Sequence, residues 1–184
     1  AKATFTAEDV YTRGKRTLEK ALVNGTMLMR TQVEVDPGIG LRGFEGVQSL
    51  IREYRWAIDI EICVFPQEGL LNNPGTEDLM VAALENGATV VGAAPYTDTD
   101  PAGQIDRVFA LAQRFDVDVD MHLDFGADAA ALDLDYVCEK TERHRWGGRV
   151  TVGHVTKLST VPPARLREVG RRMANAGVAL TVLP

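Results

Sequence analysis

Two cysteines in 184 residues are too few to staple a fold, and no apolar run approaches the ~20 residues of a membrane span. Cys63 and Cys138 fall in a strand-like and a helix-like segment, so free thiols are expected rather than a disulfide. The N-terminal AKATFTAEDVYTRGKR lacks the apolar stretch of a signal peptide. A cytoplasmic location and no membrane contact are the expectations. Basic residues are outnumbered, 20 Lys and Arg against 26 Asp and Glu, and they are spread along helices. A nucleic-acid surface is not expected from that distribution. There is no G-x-x-x-x-G-K-[ST] phosphate loop, no G-x-S-x-G elbow, and no H-x-E with P-C-x-x-C. The last absence excludes the separate zinc-deaminase fold built on that signature.

What is present is a repeat. Six apolar strand segments restart about every 30 residues, the size of a βα unit. They read Thr26–Val35, Ala57–Phe65, Ala88–Ala94, Val117–Leu123, Arg149–His154 and Val178–Leu183. A helix precedes the first, capped by Thr6 and stopped at Asn24-Gly25, with Val10, Leu18, Leu22 and Val23 on its apolar face. Further helices are expected near Gly43–Arg55, Thr76–Glu85, Ala102–Phe115, Ala127–Arg143 and Pro163–Ala176. No linker interrupts the series, so residues 1–184 read as one domain. The architecture expected is α/β, an incomplete (β/α)8 barrel of about six parallel units, with an open doubly wound sheet as the alternative.

Side chains alternate across a strand. In Val117–Phe125 the valines, Met121 and Leu123 share one face, while Asp118, Asp120, His122 and Asp124 share the other. Parallel strands are usually apolar on both faces, so this acidic row requires water, a metal or cationic partners. Ile58, Ile60, Ile62 and Val64 likewise oppose Asp59, Glu61 and Cys63, and Arg30, Gln32 and Glu34 line up on the first strand. Arg30 can pair with Asp59 or Glu61 in a structural ion-pair layer at a barrel floor.

Strand ends are the better site candidates. His122 can bind a divalent metal through a neutral nitrogen, with Asp124 placed to orient a water or move a proton; a buried, hydrogen-bonded histidine is the other reading. His154 shares parity with Val150 and Val152, so only a bend at the strand end would turn it toward a pocket. It could then be a ligand or a polariser of water. Gln67, in Phe65-Pro66-Gln67-Glu68-Gly69, offers a donor and an acceptor to one edge of a small heterocycle, or serves as a solvated turn residue. His144 reads as a surface residue at a helix C-terminus.

Four segments carry a resemblance. Arg30-Thr31-Gln32-Val33-Glu34-Val35-Asp36, Val64-Phe65-Pro66-Gln67-Glu68-Gly69, Asp120-Met121-His122-Leu123-Asp124 and Arg149-Val150-Thr151-Val152-Gly153-His154 occur in order. Together they resemble bacterial cytosine deaminase and its relatives in the amidohydrolase superfamily, including the isopropylammelide hydrolases. The resemblance implies a (β/α)8 barrel holding one catalytic metal, zinc or iron. It implies that His122 is the metal ligand, that His154 holds or polarises the hydrolytic water, and that Gln67 reads the pyrimidine edge. The implied reaction is deamination of a cyclic amidine such as cytosine, with a metal-activated water attacking the amino-bearing ring carbon. Three departures stand out. The family's His-x-His pair and its final strand aspartate have no counterpart here. Phe125 stands where the family has an acid/base glutamate, with Asp124 the nearest replacement. Gln32 stands where the family reads Arg-Thr-His. The expectation is therefore an incompletely held metal, an isolated chain without activity, and association into a homo-oligomer through open strand edges. A non-catalytic α/β binding or interaction module is the rival.

Overall fold

The computed structural model describes residues 4–182; the expected strand end at Leu183 lies outside the described residues. Helix α1 (Ala7–Val23) leads into β1 (Leu28–Glu34), α2 (Arg42–Tyr54), β2 (Asp59–Phe65), α3 (Thr76–Glu85) and β3 (Val90–Ala93). Then come α4 (Pro101–Phe115), β4 (Asp118–Leu123), α5 (Asp133–His144), β5 (Val150–His154), α6 (Pro163–Ala176) and β6 (Val178–Thr181). The six strands form one parallel sheet in the order β1-β2-β3-β4-β5-β6. A doubly wound sheet reverses its strand order at a switch point, whereas a barrel runs in sequence order. The sheet is therefore a run of barrel strands.

Its curl is visible in one ion pair. In a flat sheet, β1 and β4 would lie about 14 Å apart, three strand spacings. Yet Arg30 Nη1 of β1 lies 3.1 Å from Asp120 Oδ2 of β4, and Arg30 Nε lies 2.9 Å from Glu61 Oε2 of β2. The polar face is thus concave and closes on itself as a half-barrel. The ion-pair floor expected from the alternation is present, with Glu61 as Arg30's partner and Asp120 added. Asp118 joins a second pair, 2.8 Å from Arg149 Nε at the rim.

The opposite face carries the core. Val119, Met121, Leu123 and Val152 are fully buried with Ile105, Phe109, Leu134 and Val137 from the helices. A smaller cluster of Leu18, Leu50, Tyr54 and Ile58 packs α1 against α2.

Local chemistry sets most helix ends. Thr6 Oγ1 accepts the Asp9 N–H at 3.1 Å and opens α1. Asp100 caps α4 and Pro101 and Pro163 start α4 and α6, where a missing N–H costs nothing. Helix α5 departs from expectation: it begins at Asp133, six residues after Ala127. The cap comes from outside the helix. The Asp124 carboxylate, at the end of β4, accepts the N–H groups of Asp133 and Leu134 at 3.0 Å each. The helix starts where that carboxylate reaches it.

The turn after β1 holds Gly38-Ile39-Gly40-Leu41-Arg42-Gly43, a G-x-G-x-x-G spacing between a strand and a helix. It is not a phosphate cradle here. Asp36 Oδ1 accepts the N–H groups of Gly38 and Ile39 at 2.6 and 3.0 Å, so a carboxylate already holds the amides that a phosphate would need.

Candidate active site at the strand ends

His122 and His154 meet. His154 Nε2 lies 3.1 Å from His122 Nδ1, and their ring centroids are 5.1 Å apart. The Phe65 ring covers His122 at 5.0 Å. Alternation alone would put His154 on the apolar face with Val150 and Val152. The bend that frees it is real: His154 has φ +70° and Val155 φ +45°. Two consecutive non-glycine residues in the left-handed region, one of them β-branched, cost on the order of 1–3 kcal/mol each. The Val155 N–H offsets part of this by bonding to Leu123 O at 3.1 Å and Gly153 O at 3.0 Å. Strain kept at a strand end and used to turn one imidazole onto another marks a site worth attention.

The pair borders a cavity of about 530 Å³ on the concave face, lined also by Arg30, Gln32, Glu61 and Asp120. Burial lowers the His122 pKa, the neighbouring His154 lowers it further, and Asp120 opposes both. A neutral imidazole with a free lone pair is the form that binds a metal. Burial raises the Asp120 carboxyl despite its bonds to Arg30.

Asp124 does not join the histidines. Its φ of +51° breaks the alternation that placed it beside His122. Its fully buried carboxylate is bound to the start of α5 and lies 3.1 Å from Lys157 Nζ. Gln67 does not line the cavity either. It lies on the loop after β2, with Nε2 donating to the Tyr96 hydroxyl at 3.4 Å. His144 ends α5 and stacks on Phe109 at 5.5 Å, a packing role at a helix C-terminus.

Sequence reasoning overlooked Tyr96 and Asp98. Both lie directly after β3, and inspection of every strand end would have found them. Asp98 accepts the N–H groups of Leu70, Leu71 and Asn72 and a bond from Gln104 Nε2, which pins the Gln67 loop in place.

A divalent metal is implied by the resemblance, and the fit is partial. Two nitrogens on one tetrahedral zinc stand about 3.4 Å apart, given bonds of about 2.0–2.1 Å. The 3.1 Å between the imidazoles suits either a shared proton or a shared ion. Zinc needs three or four donors. Among the described residues, no group of three or more His, Cys, Asp or Glu side chains is placed to hold an ion. The two imidazoles alone do not make a metal site.

No family model matches the chain. Among curated proteins, it is 30% identical over 149 residues to N-isopropylammelide isopropyl amidohydrolase of Pseudomonas sp. (strain ADP), covering 80% of this chain and 37% of that protein. It is 25% identical over 183 residues to pterin deaminase of Rhizobium rhizogenes, covering 99% of this chain and 42% of that one. The crystal structure of 5-methylcytosine deaminase from Klebsiella pneumoniae liganded with phosphonocytosine superposes with a TM-score of 0.89 at 29% identity, over 97% of this chain and 44% of that one. The chain thus spans less than half the length of these relatives. No helix among the described residues is long and apolar enough to cross a membrane. The shared strand order, the matched half-barrel and the identities agree: the chain is a cytosine deaminase-like member of the amidohydrolase superfamily.

Proposed function

We propose that the chain carries the strand-end histidines and the reading loop of a metal-dependent hydrolase of C–N bonds in cyclic amidines such as cytosine. The observation that carries this reading is the His122–His154 contact, built by a strained bend at the C-terminal face of barrel strands. His122 would hold a divalent ion, zinc or iron, through its neutral ring nitrogen. That ion, when bound, supplies a water acidic enough to attack an amino-bearing ring carbon near neutral pH. His154 would orient the water, and its ring, tilted against His122, would hold a proton during attack. Gln67 would present its amide to the edge of a planar substrate. Asp124 would act through structure: its bonds to α5 and Lys157 fix the loop that follows β4.

With part of a metal site in place, this chain alone would bind metal weakly and turn nothing over. The flanking coding sequence provides the test. A longer chain that adds His-x-His after an apolar strand and a strand ending in aspartate is expected to release ammonia from cytosine with zinc or ferrous iron, and the 184-residue chain is not. A longer chain that holds stoichiometric metal yet hydrolyses neither cytosine nor related cyclic amidines would overturn the reading. Metal-dependent release by the short chain would overturn its inactivity.

The rival, a non-catalytic binding module in a cytoplasmic setting, is favoured by one observation. Phe125 stands where the resembled family has its acid/base glutamate, and the adjacent Asp124 carboxylate is bound to the start of α5 and to Lys157. The same ammonia assay separates the two readings.

The edges support self-association. Among the described residues, strands β1 and β6 end the sheet with no strand on their outer sides, and Met27, Leu28 and Val182 beside them are 76, 63 and 65% exposed. Open apolar edges recruit partners. Light scattering of the purified chain is expected to give a dimer or larger homo-oligomer; a monomer at tens of micromolar would contradict this.

A further inference from the structure

Four consecutive strands each end in a ring or an amide. Gln67 follows β2, Tyr96 follows β3, Phe125 follows β4 and His154 ends β5. They touch in series. Gln67 Nε2 bonds to the Tyr96 hydroxyl at 3.4 Å, Tyr96 meets Phe125 edge-on at 4.9 Å between centroids, and Phe125 lies against His154 at 4.5 Å. Tyr96 and Phe125 nonetheless remain 45 and 42% exposed. Two large rings packed edge to face and left open to water at the strand ends favour a bound ligand over solvent.

We infer that Phe125, with Tyr96 packed edge-on against it, forms a stacking ledge for a planar nitrogen heterocycle, with the Gln67 amide at its polar edge. The choice of ligand class rests on the hydrolase reading above; the ledge itself rests on the contacts. Every planar heteroaromatic has a π-face to offer, and stacking on a side-chain ring tolerates changes around the edge. Discrimination then falls to the amide, which pairs one donor and one acceptor with a ring edge and leaves them unpaired against the wrong one. Phe125 cannot move a proton, so its place beside His154 is a binding role. A ring seated on Phe125 lies next to the imidazole pair.

The test needs no turnover. The metal-free chain is titrated with cytosine while the ring-proton resonances of Tyr96 and Phe125 are followed by NMR. Both sets are expected to shift in parallel and saturate. Phe125→Leu is expected to weaken cytosine about tenfold, a typical loss for one base–aromatic stack, while Phe125→Trp retains affinity. Uracil should bind better than 5,6-dihydrouracil, which keeps the imide edge but has a puckered ring. Because Phe125 is exposed on a loop, an unchanged urea midpoint would show that its variants remain folded, and Tyr96→Leu provides a second variant. Equal affinity of wild type and Phe125→Leu, or no shift of either ring at saturating cytosine, overturns the ledge. Ammonia release is not read, so a failed ledge leaves the hydrolase reading standing. A working ledge without turnover in the metal-loaded longer chain would refute only that reading.

Discussion

Gly92→Val is expected to destabilise the protein by about 3 kcal/mol or more and to disperse the His122–His154 pair. Gly92 lies in β3, paired in register with Asp120, and its missing side chain is a space three neighbours share. A Cβ there would stand 2.7 Å from the Asp120 carbonyl oxygen, 2.8 Å from Cys63 Sγ and 2.8 Å from Phe65 Cβ. Valine in a strand ordinarily gains up to about 1 kcal/mol in propensity over glycine. That gain loses here, because one obstructing atom belongs to the backbone of β4 and cannot rotate away. Either β3 or β4 must move, and β4 carries His122 two residues beyond Asp120. The urea midpoint should fall with the m-value unchanged, and the two imidazole spin systems should lose their mutual contacts by NMR. A midpoint within experimental error of wild type would show that the strands have room to part.

The same geometry explains which features were legible in the sequence. Strand and helix positions followed from local periods and caps. Helices α3 and α6 begin and end where turn and proline chemistry place them, because the signals lie within the segments themselves. The concave polar face followed from the period of two. The curl did not: alternation assigns Arg30 and Asp120 to one face, but only sheet curvature brings β1 to β4. Helix α5 started late because its cap, Asp124, sits across the loop in another element. His154 and Asp124 each defied alternation through a left-handed φ, in opposite senses: the bend brought His154 in and turned Asp124 out. No periodicity encodes such a residue. Strand-end position singled out His122, His154 and Gln67, and the resemblance gave them roles, whereas Tyr96 and Asp98, which hold the Gln67 loop, follow a strand end that was passed over and emerged from their contacts.

Asp98→Ala is expected to cost about 3 kcal/mol and to release the loop that carries Gln67. The Asp98 carboxylate accepts N–H groups from Leu70 at 2.8 Å, Leu71 at 3.1 Å and Asn72 at 2.9 Å, and its other partner is the fully buried Gln104. Charge-assisted bonds of this kind exceed neutral ones, and each buried donor left without an acceptor costs about 1–3 kcal/mol. Leu71 is partly exposed, so water recovers some of that loss and the total stays well below the sum. Burial opposes ionisation of Asp98, but the bonds from Gln104 and the three amides outweigh it and hold the carboxyl below its ordinary value. The folded state therefore binds fewer protons here than the unfolded chain. The stabilisation from this residue is complete above about pH 4 and drains away as the pH falls through the lowered value. The wild-type urea midpoint should drop more steeply on acidification than that of Asp98→Ala, the two converging at low pH. At neutral pH the variant should also lose the Gln67–Tyr96 contact and bind cytosine more weakly. Parallel acid limbs for the two proteins would mean that the carboxylate is not what holds the loop.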